Sequence, residues 1–564
     1  MPRDTVHPTM PPPILHTYTL AHDGTPASYD ESLAVACLQG IINRDAPRVY
    51  VMSPRDDRPA YWLRTLGQGN AWLAGAETHP LKDLDALRAL AGDAVRGAIV
   101  WDPAVPATVN VATTAAGVED AVTLSPELAD RYAARWGLPI LHDLRGRFTG
   151  AETGSAKNDA YRWAIRQYLA PGRCSSRLLC LFEDAFTTRA RGDISYILTR
   201  DHAVRLRSFV FDLSPWGDEV PGDDPNQPLG ADLATYKIIL EEVLKHTRGR
   251  HMTELSGFFA FAKYSRYGDH ESIHEPVPTE WETVWLISPY NGYQNTISSD
   301  CYNQSIHCHA PRRPLKQPPR PKVEMAIEKK TYLCFLMADY DSATPLYSYM
   351  PKNWDDPGRG KIPLCWGIDP NLVETYPDVI RHLYQTATPN DYFASDASAA
   401  GYMNPNRIRP EYMKLFIDHN RRFFQELDMS MAPMVLDWDE PTPEVKDAFT
   451  QFAPDGLFQI VIDYHDWKGR PPTPHVWKGM PVGELYTQTG ETFVAAHRTA
   501  EQMSTAINER GAAQPGFYFF RVVWATPSNV IEAVELLRAK RPELDIEVLH
   551  PHVFAQLFKR HFGG

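Results

Sequence analysis

The chain has 564 residues, 43% of them apolar and 23% charged, with a formal charge of −13. That length exceeds the roughly 250–300 residues at which one hydrophobic core stops growing, so several domains are expected. The acidic balance excludes a protein that lies along nucleic acid phosphates, and no run approaches the ~20 apolar residues of a membrane span.

The N-terminal stretch Met1–Pro13 lacks the apolar core of a secretory signal, and the seven cysteines form no CxxC pair. A cytoplasmic protein without a disulfide framework is therefore expected. The partners to expect are a small-molecule or oligosaccharide substrate, with no nucleic acid and no membrane, and no motif calls for a cofactor.

In chain order, strand-like and helix-like signals alternate: Ile14–Leu20, a helix over Glu31–Ile42, Arg48–Met52, a helix after Arg58, then Gly97–Trp101, a helix over Pro126–Trp136 and a strand at Leu138–His142. This alternation predicts a small α/β unit over residues 1–148. Neither GxGxxG nor a P-loop accompanies it, which argues against nucleotide binding. A second α/β unit, 149–309, has a helix over Lys157–Leu169, strands at Arg177–Phe182 and Ala203–Phe211, a helix over Asp232–His246 and a closing segment Thr283–Pro289. Cys301, His307, Cys308 and His309 are close in sequence but match no zinc spacing. Residues 310–330 then read as a linker, because five prolines between Ala310 and Lys322 preclude a helix or a central strand.

From Tyr332 the rhythm changes to short apolar runs alternating with helical patterns. Strands are predicted at Tyr332–Ala338, Ile362–Ile368, Asp391–Ser395, Ala432–Leu436, Leu457–Ile462, Met480–Glu484, Gly516–Trp524 and Ile546–Leu549, with helices between them. Residues 331–564 thus predict a TIM-like (β/α) barrel, with a doubly wound open sheet as the competing architecture.

In either architecture the active site forms at the C-terminal ends of the strands. Three apolar runs end there in acidic clusters: Asp339-Tyr340-Asp341, Asp437-Trp438-Asp439-Glu440, and Asp463-Tyr464-His465-Asp466. Side chains two apart on a strand share a side, so each cluster can present a pair to one pocket. Paired carboxyls suit glycosidic cleavage, one as proton donor and one as nucleophile or base. The candidate catalytic set is Asp339, Asp341, Asp437, Asp439 and Glu440. The candidate substrate-binding set is Tyr340, Trp366, Asp396, Tyr402, Trp438, Asp463, His465 and Trp524, since rings and polar groups at strand ends suit a saccharide. The plain alternative is that each Asp caps the helix after its strand.

The order of these landmarks resembles the GxGYxYP family of glycoside hydrolases. The matching residues are Leu38-Gln39-Gly40-Ile41-Ile42-Asn43-Arg44, Asp339-Tyr340-Asp341-Ser342, Gly360-Lys361-Ile362-Pro363 running on to Trp366, and Ala399-Ala400-Gly401-Tyr402-Met403-Asn404-Pro405. Ala399 and Asn404 depart from the name-giving motif, and Tyr340 and Ser342 stand where the family carries Gly and Asn. The resemblance implies small N-terminal α/β subdomains, a barrel-like C-terminal domain and sugar processing. Three other readings stay open: a metal-dependent, deacetylase-like hydrolase using Asp339, Asp341 and His465; a tailoring enzyme of a small-molecule pathway; and a carbohydrate-binding protein without catalysis.

Overall fold

The computed structural model describes residues 13–268, 272–434, 439–460, 462–463, 468–469, 472–487 and 495–563, with backbone alone at 462–463, 468–469 and 487. Three small parallel sheets precede the linker. The first has the order β2-β1-β3, from β1 (Ile14–Thr19), β2 (Val49–Met52) and β3 (Glu77–Pro80). The second has the order β5-β4-β6, from β4 (Gly97–Val100), β5 (Ala121–Leu124) and β6 (Ile140–Asp143). The third is β10-β9-β7-β8, from β7 (Leu178–Leu181), β8 (Phe209–Phe211), β9 (Thr253–Gly257) and β10 (Gly292–Asn295).

Helix Pro26–Ile42 ties the first sheet to its neighbours. Thr25 caps it by accepting from the Ser28 amide, and Pro26 occupies its first turn. Gly40 is required on its far side, because a Cβ there would stand 2.3 Å from the Asp201 carbonyl oxygen and 2.9 Å from the Val204 Cβ. That close crossing explains a departure from expectation at Ala203–Phe211. Arg200–Leu206 is a helix packed on Pro26–Ile42, and the strand is confined to Phe209–Phe211. Tertiary packing overrides the β-branched signal there. The closing segment Thr283–Pro289 is helical, lying across the end of helix Pro276–Ile287 and the turn Ser288–Tyr290.

Beyond the linker come β11 (Thr331–Tyr340), β12 (Leu364–Ile368), β13 (Asp391–Ala394), β14 (Met431–Met434), β15 (Gly456–Gln459), β16 (Ile462–Asp463), β17 (Lys468–Gly469), β18 (His475–Trp477), β19 (Met480–Thr487), β20 (Gly516–Val523) and β21 (Ile546–Val548). Seven of them form a parallel sheet, β13-β12-β11-β20-β19-β15-β14, that curls into a nearly closed barrel. At the seam, the Ser395 amide reaches the Met431 carbonyl at 3.4 Å. The eighth strand of the sequence pattern, β21, pairs with Thr331–Leu333 at the start of β11, while β12 pairs further along the same strand. It wedges the bottom of the barrel and does not complete the ring.

Alternation along the strands separates two layers. Tyr332, Cys334, Leu336, Ala338, Cys365, Tyr392, Ala394, Met431, Phe458, Leu485 and Phe519 pack together with Phe554 and Phe558 of helix Pro551–Phe562. All seven barrel strands contribute to this cluster, which marks it as the lumen, plugged from below by the last helix. Their sequence neighbours, such as Phe335, Met337, Trp366, Phe393 and Phe520, belong to the layer under the surrounding helices. The linker is an ordered strap over the seam, where Gln317 accepts from the Phe393 amide at 2.8 Å and donates to the Phe393 carbonyl at 2.6 Å.

Candidate active site

The upper end of β11 is irregular in a way that builds the site. Met337 faces Trp366 and Tyr340 faces Ile368, so two residues of β11 oppose Gly367 alone. This is a β-bulge, and Asp339 takes its left-handed conformation at φ 64°. The bulge breaks the simple i, i+2 pattern and frees two amides. The N–H groups of Asp339 and Tyr340 both donate to Oδ2 of Asp396, at 2.6 and 3.1 Å. Asp396 reaches them across Gly367, where a Cβ would stand 2.8 Å from its Cγ. One strand over the device recurs: Asp369 accepts from the amides of Asp396 and Ala397, each at 3.1 Å. Each post-strand aspartate thus fixes the end of a neighbouring strand.

Strand parity places Asp369 and Asp396 on the lumen side, and Arg521 of β20 shares the parity of Phe519. Arg521 donates from Nη2 to Oδ1 of Asp339, the indole N–H of Trp524 donates to the Asp339 carbonyl at 2.9 Å, and Ser342 donates to Asp341 at 3.0 Å. Burial pushes the Asp341 carboxyl up to about 6. Burial, and then the neighbouring Asp341, hold Asp369 and Asp396 well above the usual carboxylate range. Among the described residues, Oδ2 of Asp369 and Oδ1 of Asp396 are buried without a hydrogen-bond partner.

A further acid arrives from outside the barrel. Glu280, on helix Pro276–Ile287, is pushed up to about 8 by burial and by Asp341, with Arg521 acting in the opposite direction. The segment after that helix, from Ser288 to Asn295, is tied to the C-terminal domain by several hydrogen bonds. Gln294 and Tyr402 exchange backbone hydrogen bonds at 2.7 and 3.0 Å, the Ala343 amide donates to Asn295 at 2.9 Å, and the Asn404 amide donates to Ser288 at 2.9 Å. Burial brings the Arg521 guanidinium down to about 10, with Glu280 opposing. The centre therefore combines several carboxyls with one arginine, and most of those carboxyls are driven toward their protonated form.

The sequence-predicted residues distribute as follows. Asp339, Asp341 and Asp396 meet at the barrel mouth, and Trp524 braces the bulge. Tyr402 is buried, and its backbone joins the barrel to β10. Tyr340 and Trp366 face the helix layer, the first meeting Asn353 at 2.5 Å and the second donating to Asp391 at 2.8 Å. Asp439 and Glu440 are exposed, and the Glu440 carbonyl accepts from Asn406 at 3.1 Å. Asp437, Trp438 and His465 lie outside the described residues, and Asp463 is described only as backbone in β16, opposite Lys468. Among the described residues no group of three metal-binding side chains is assembled.

Sequence reasoning passed over Asp369, Arg521 and Glu280. Asp369 directly follows the apolar run Leu364–Ile368, the same signal that marks Asp339. Arg521 is the lone charge in Gly516-Phe-Tyr-Phe-Phe-Arg-Val-Val-Trp524. Glu280 carries no local signal, because its place depends on how two regions dock.

A nearly closed parallel barrel with acids at its C-terminal mouth, roofed by small α/β sheets, defines a multidomain α/β protein with a TIM-like domain. Three family models match: the first domain of GxGYxYP_N at residues 16–89, its second domain at 95–172, and the "GxGYxYP putative glycoside hydrolase C-terminal domain" at 329–559. The chain belongs to the GxGYxYP family. Among solved structures it is similar to a crystal structure described as a putative hydrolase from Bacteroides thetaiotaomicron VPI-5482, with a TM-score of 0.72 and 16% identity, over 97% of this chain and 95% of that one. That likeness concerns the fold. No curated protein matches the chain significantly. Among the described residues no helix is long and apolar enough to cross a membrane.

Proposed function

We propose that the protein is a glycoside hydrolase that works through Asp339 and Asp341. The observation that carries this reading is the contrast between the two carboxyls at one strand end. Asp339 is ion-paired with Arg521, while Asp341 has no cation paired with it among the described residues and is pushed up to about 6 by burial, so that it stays partly protonated near neutral pH. A carboxylate held by a cation beside a carboxyl raised by burial suits the two roles that glycosidic cleavage needs. Asp341 passes its proton to the glycosidic oxygen as the bond to the anomeric carbon breaks. Asp339 stabilises the positive charge on that carbon, and either adds to it or takes the proton of the attacking water. The family's description and the hydrolase named for the similar structure support the same class.

The test is reducing-sugar release from a panel of aryl glycosides and oligosaccharides by the intact chain and by D339N and D341N. Each variant should lose at least about 100-fold in kcat on any substrate the wild type turns over. Folded variants with undiminished turnover would remove both residues from the mechanism.

A further inference from the structure

A second cavity, of about 180 Å³, lies away from the barrel mouth, between the N-terminal ends of β7 and β9 and helix Met413–Glu426. Arg177 enters it from just before β7, Arg250 and His251 from just before β9, and Tyr293, His419 and Arg422 complete the walls.

Its two acids are already engaged. Glu374 is paired with Arg422 at 2.5 Å and Arg312 at 3.2 Å, and Asp418 with Lys414 and, at 3.2 Å, with Arg421. Arg177 and Arg250 differ. Arg250 bonds only to the carbonyls of Thr247 and His246, at 3.2 and 3.4 Å, and neither guanidinium has a carboxylate within ion-pair distance among the described residues. His251 is held below its ordinary value by burial and then by these two arginines, which places both charges around the same ring. His419, brought down to about 4 by burial, adds no cation near neutral pH.

Two solvent-exposed guanidiniums with no carboxylate partner among the described residues thus line one concavity of a chain whose net charge is −13. Like charges brought together repel, and a planar donor fork matches an oxyanion. We propose that this cavity binds a small oxyanion: a phosphate, sulfate or carboxylate group on a molecule no larger than a monosaccharide. The size limit follows from a volume below the ~300 Å³ at which drug-sized sites begin.

The walls also touch the family-motif loop. A Cβ at Gly401 would stand 2.2 Å from the Tyr293 ring, and His419 donates from Nε2 to the Ala400 carbonyl at 2.9 Å. An occupant is therefore felt at the turn that joins β10 to the barrel, and it should stabilise the whole chain by mass action.

The test uses the full chain in chloride buffers of matched ionic strength, with inorganic phosphate, sulfate or acetate added at millimolar levels. Expected are a saturable rise in Tm and one-to-one binding by calorimetry. Both should disappear in R177Q/R250Q, whether or not its anion-free Tm differs from that of the wild type, since Arg250 also donates to the Thr247 and His246 carbonyls. A flat Tm for all three anions in the wild type, or an equal rise in the double variant, would overturn the site. Neither outcome depends on glycosidase activity.

Discussion

Arg521 reaches Asp339 across the β11–β20 pair and is the cation that engages the bulge aspartate at the barrel mouth. Its side chain is 11% exposed and that of Asp339 25%. Removing one partner of such a pair leaves the other's charge without compensation, which typically costs about 3 kcal/mol or more. R521M should lose stability by roughly that amount at pH 8 and by less at pH 5, where protonation relieves the excess of carboxylates. R521K should recover part of it. Denaturant unfolding at the two pH values checks this, and equal losses at both would show that the arginine contributes through packing alone.

Asp341 sets the pH response. Its folded value of about 6 lies above the ordinary 3.8, so the protonated form favours folding. The associated stability is fully present below pH 4 and is lost as pH rises through 6. D341N stays neutral throughout and should be more stable than wild type at pH 7–8, with no advantage near pH 4. In the proposed reaction the protonated carboxyl is the active form, so kcat should fall as pH rises through about 6. Melting curves and a kcat profile together test the residue, and a wild-type rate flat from pH 5 to 8 would separate Asp341 from proton donation.

Much of this architecture was legible because barrel strands are short, apolar and closely spaced. The run Gly516–Trp524 corresponds to β20 (Gly516–Val523), and Asp391–Ser395 to β13 (Asp391–Ala394). The acid after an apolar run marks Asp339 and Asp341, and the same signal after Leu364–Ile368 marks Asp369. Facing direction was harder to read. Trp366 points into the helix layer by plain alternation with lumen-facing Cys365, whereas Tyr340 does so because the bulge at Asp339 shifts the pleat of β11 by one residue. Glu280 was out of reach, since its position is created by the docking of β10 on Tyr402 and appears in no local pattern. Gln39 and Asn43 belong to the N-terminal family signature. Their role is packing: Gln39 donates to Asn303 and Asn43 to Ser305, each at 2.8 Å, which ties the first sheet to the segment after β10.

Gly367 is the space through which Asp396 holds the bulge. A methyl group there would stand 2.8 Å from Cγ and 2.9 Å from Oδ2 of a carboxyl fixed by two amides, so the carboxyl has to move. G367A should cost about 1–3 kcal/mol and lower kcat by releasing Asp339 from its left-handed position. In a D396A background, where the obstructing carboxyl is absent, the same change should cost measurably less. A double-mutant cycle on unfolding free energies decides it, and strict additivity would refute the coupling.

Gln317 tests how the barrel holds its seam. β13 ends the hydrogen-bonded sheet, so its outer backbone groups need partners from elsewhere. The Gln317 amide serves both groups of Phe393, accepting from N–H and donating to C=O, and the residue is 8% exposed. Q317A leaves both groups buried and unsatisfied, at about 1–3 kcal/mol for each group left without a partner. Q317E keeps the acceptor, loses the donor and should fall between wild type and Q317A. Hydrogen exchange gives the site-specific readout: the Phe393 amide should lose protection in Q317A by more than Q317E loses it, while the amide of Ala338 in the centre of the sheet changes only with global stability. Equal loss at both amides would mean that the strap acts through overall stability and that the seam has no local role.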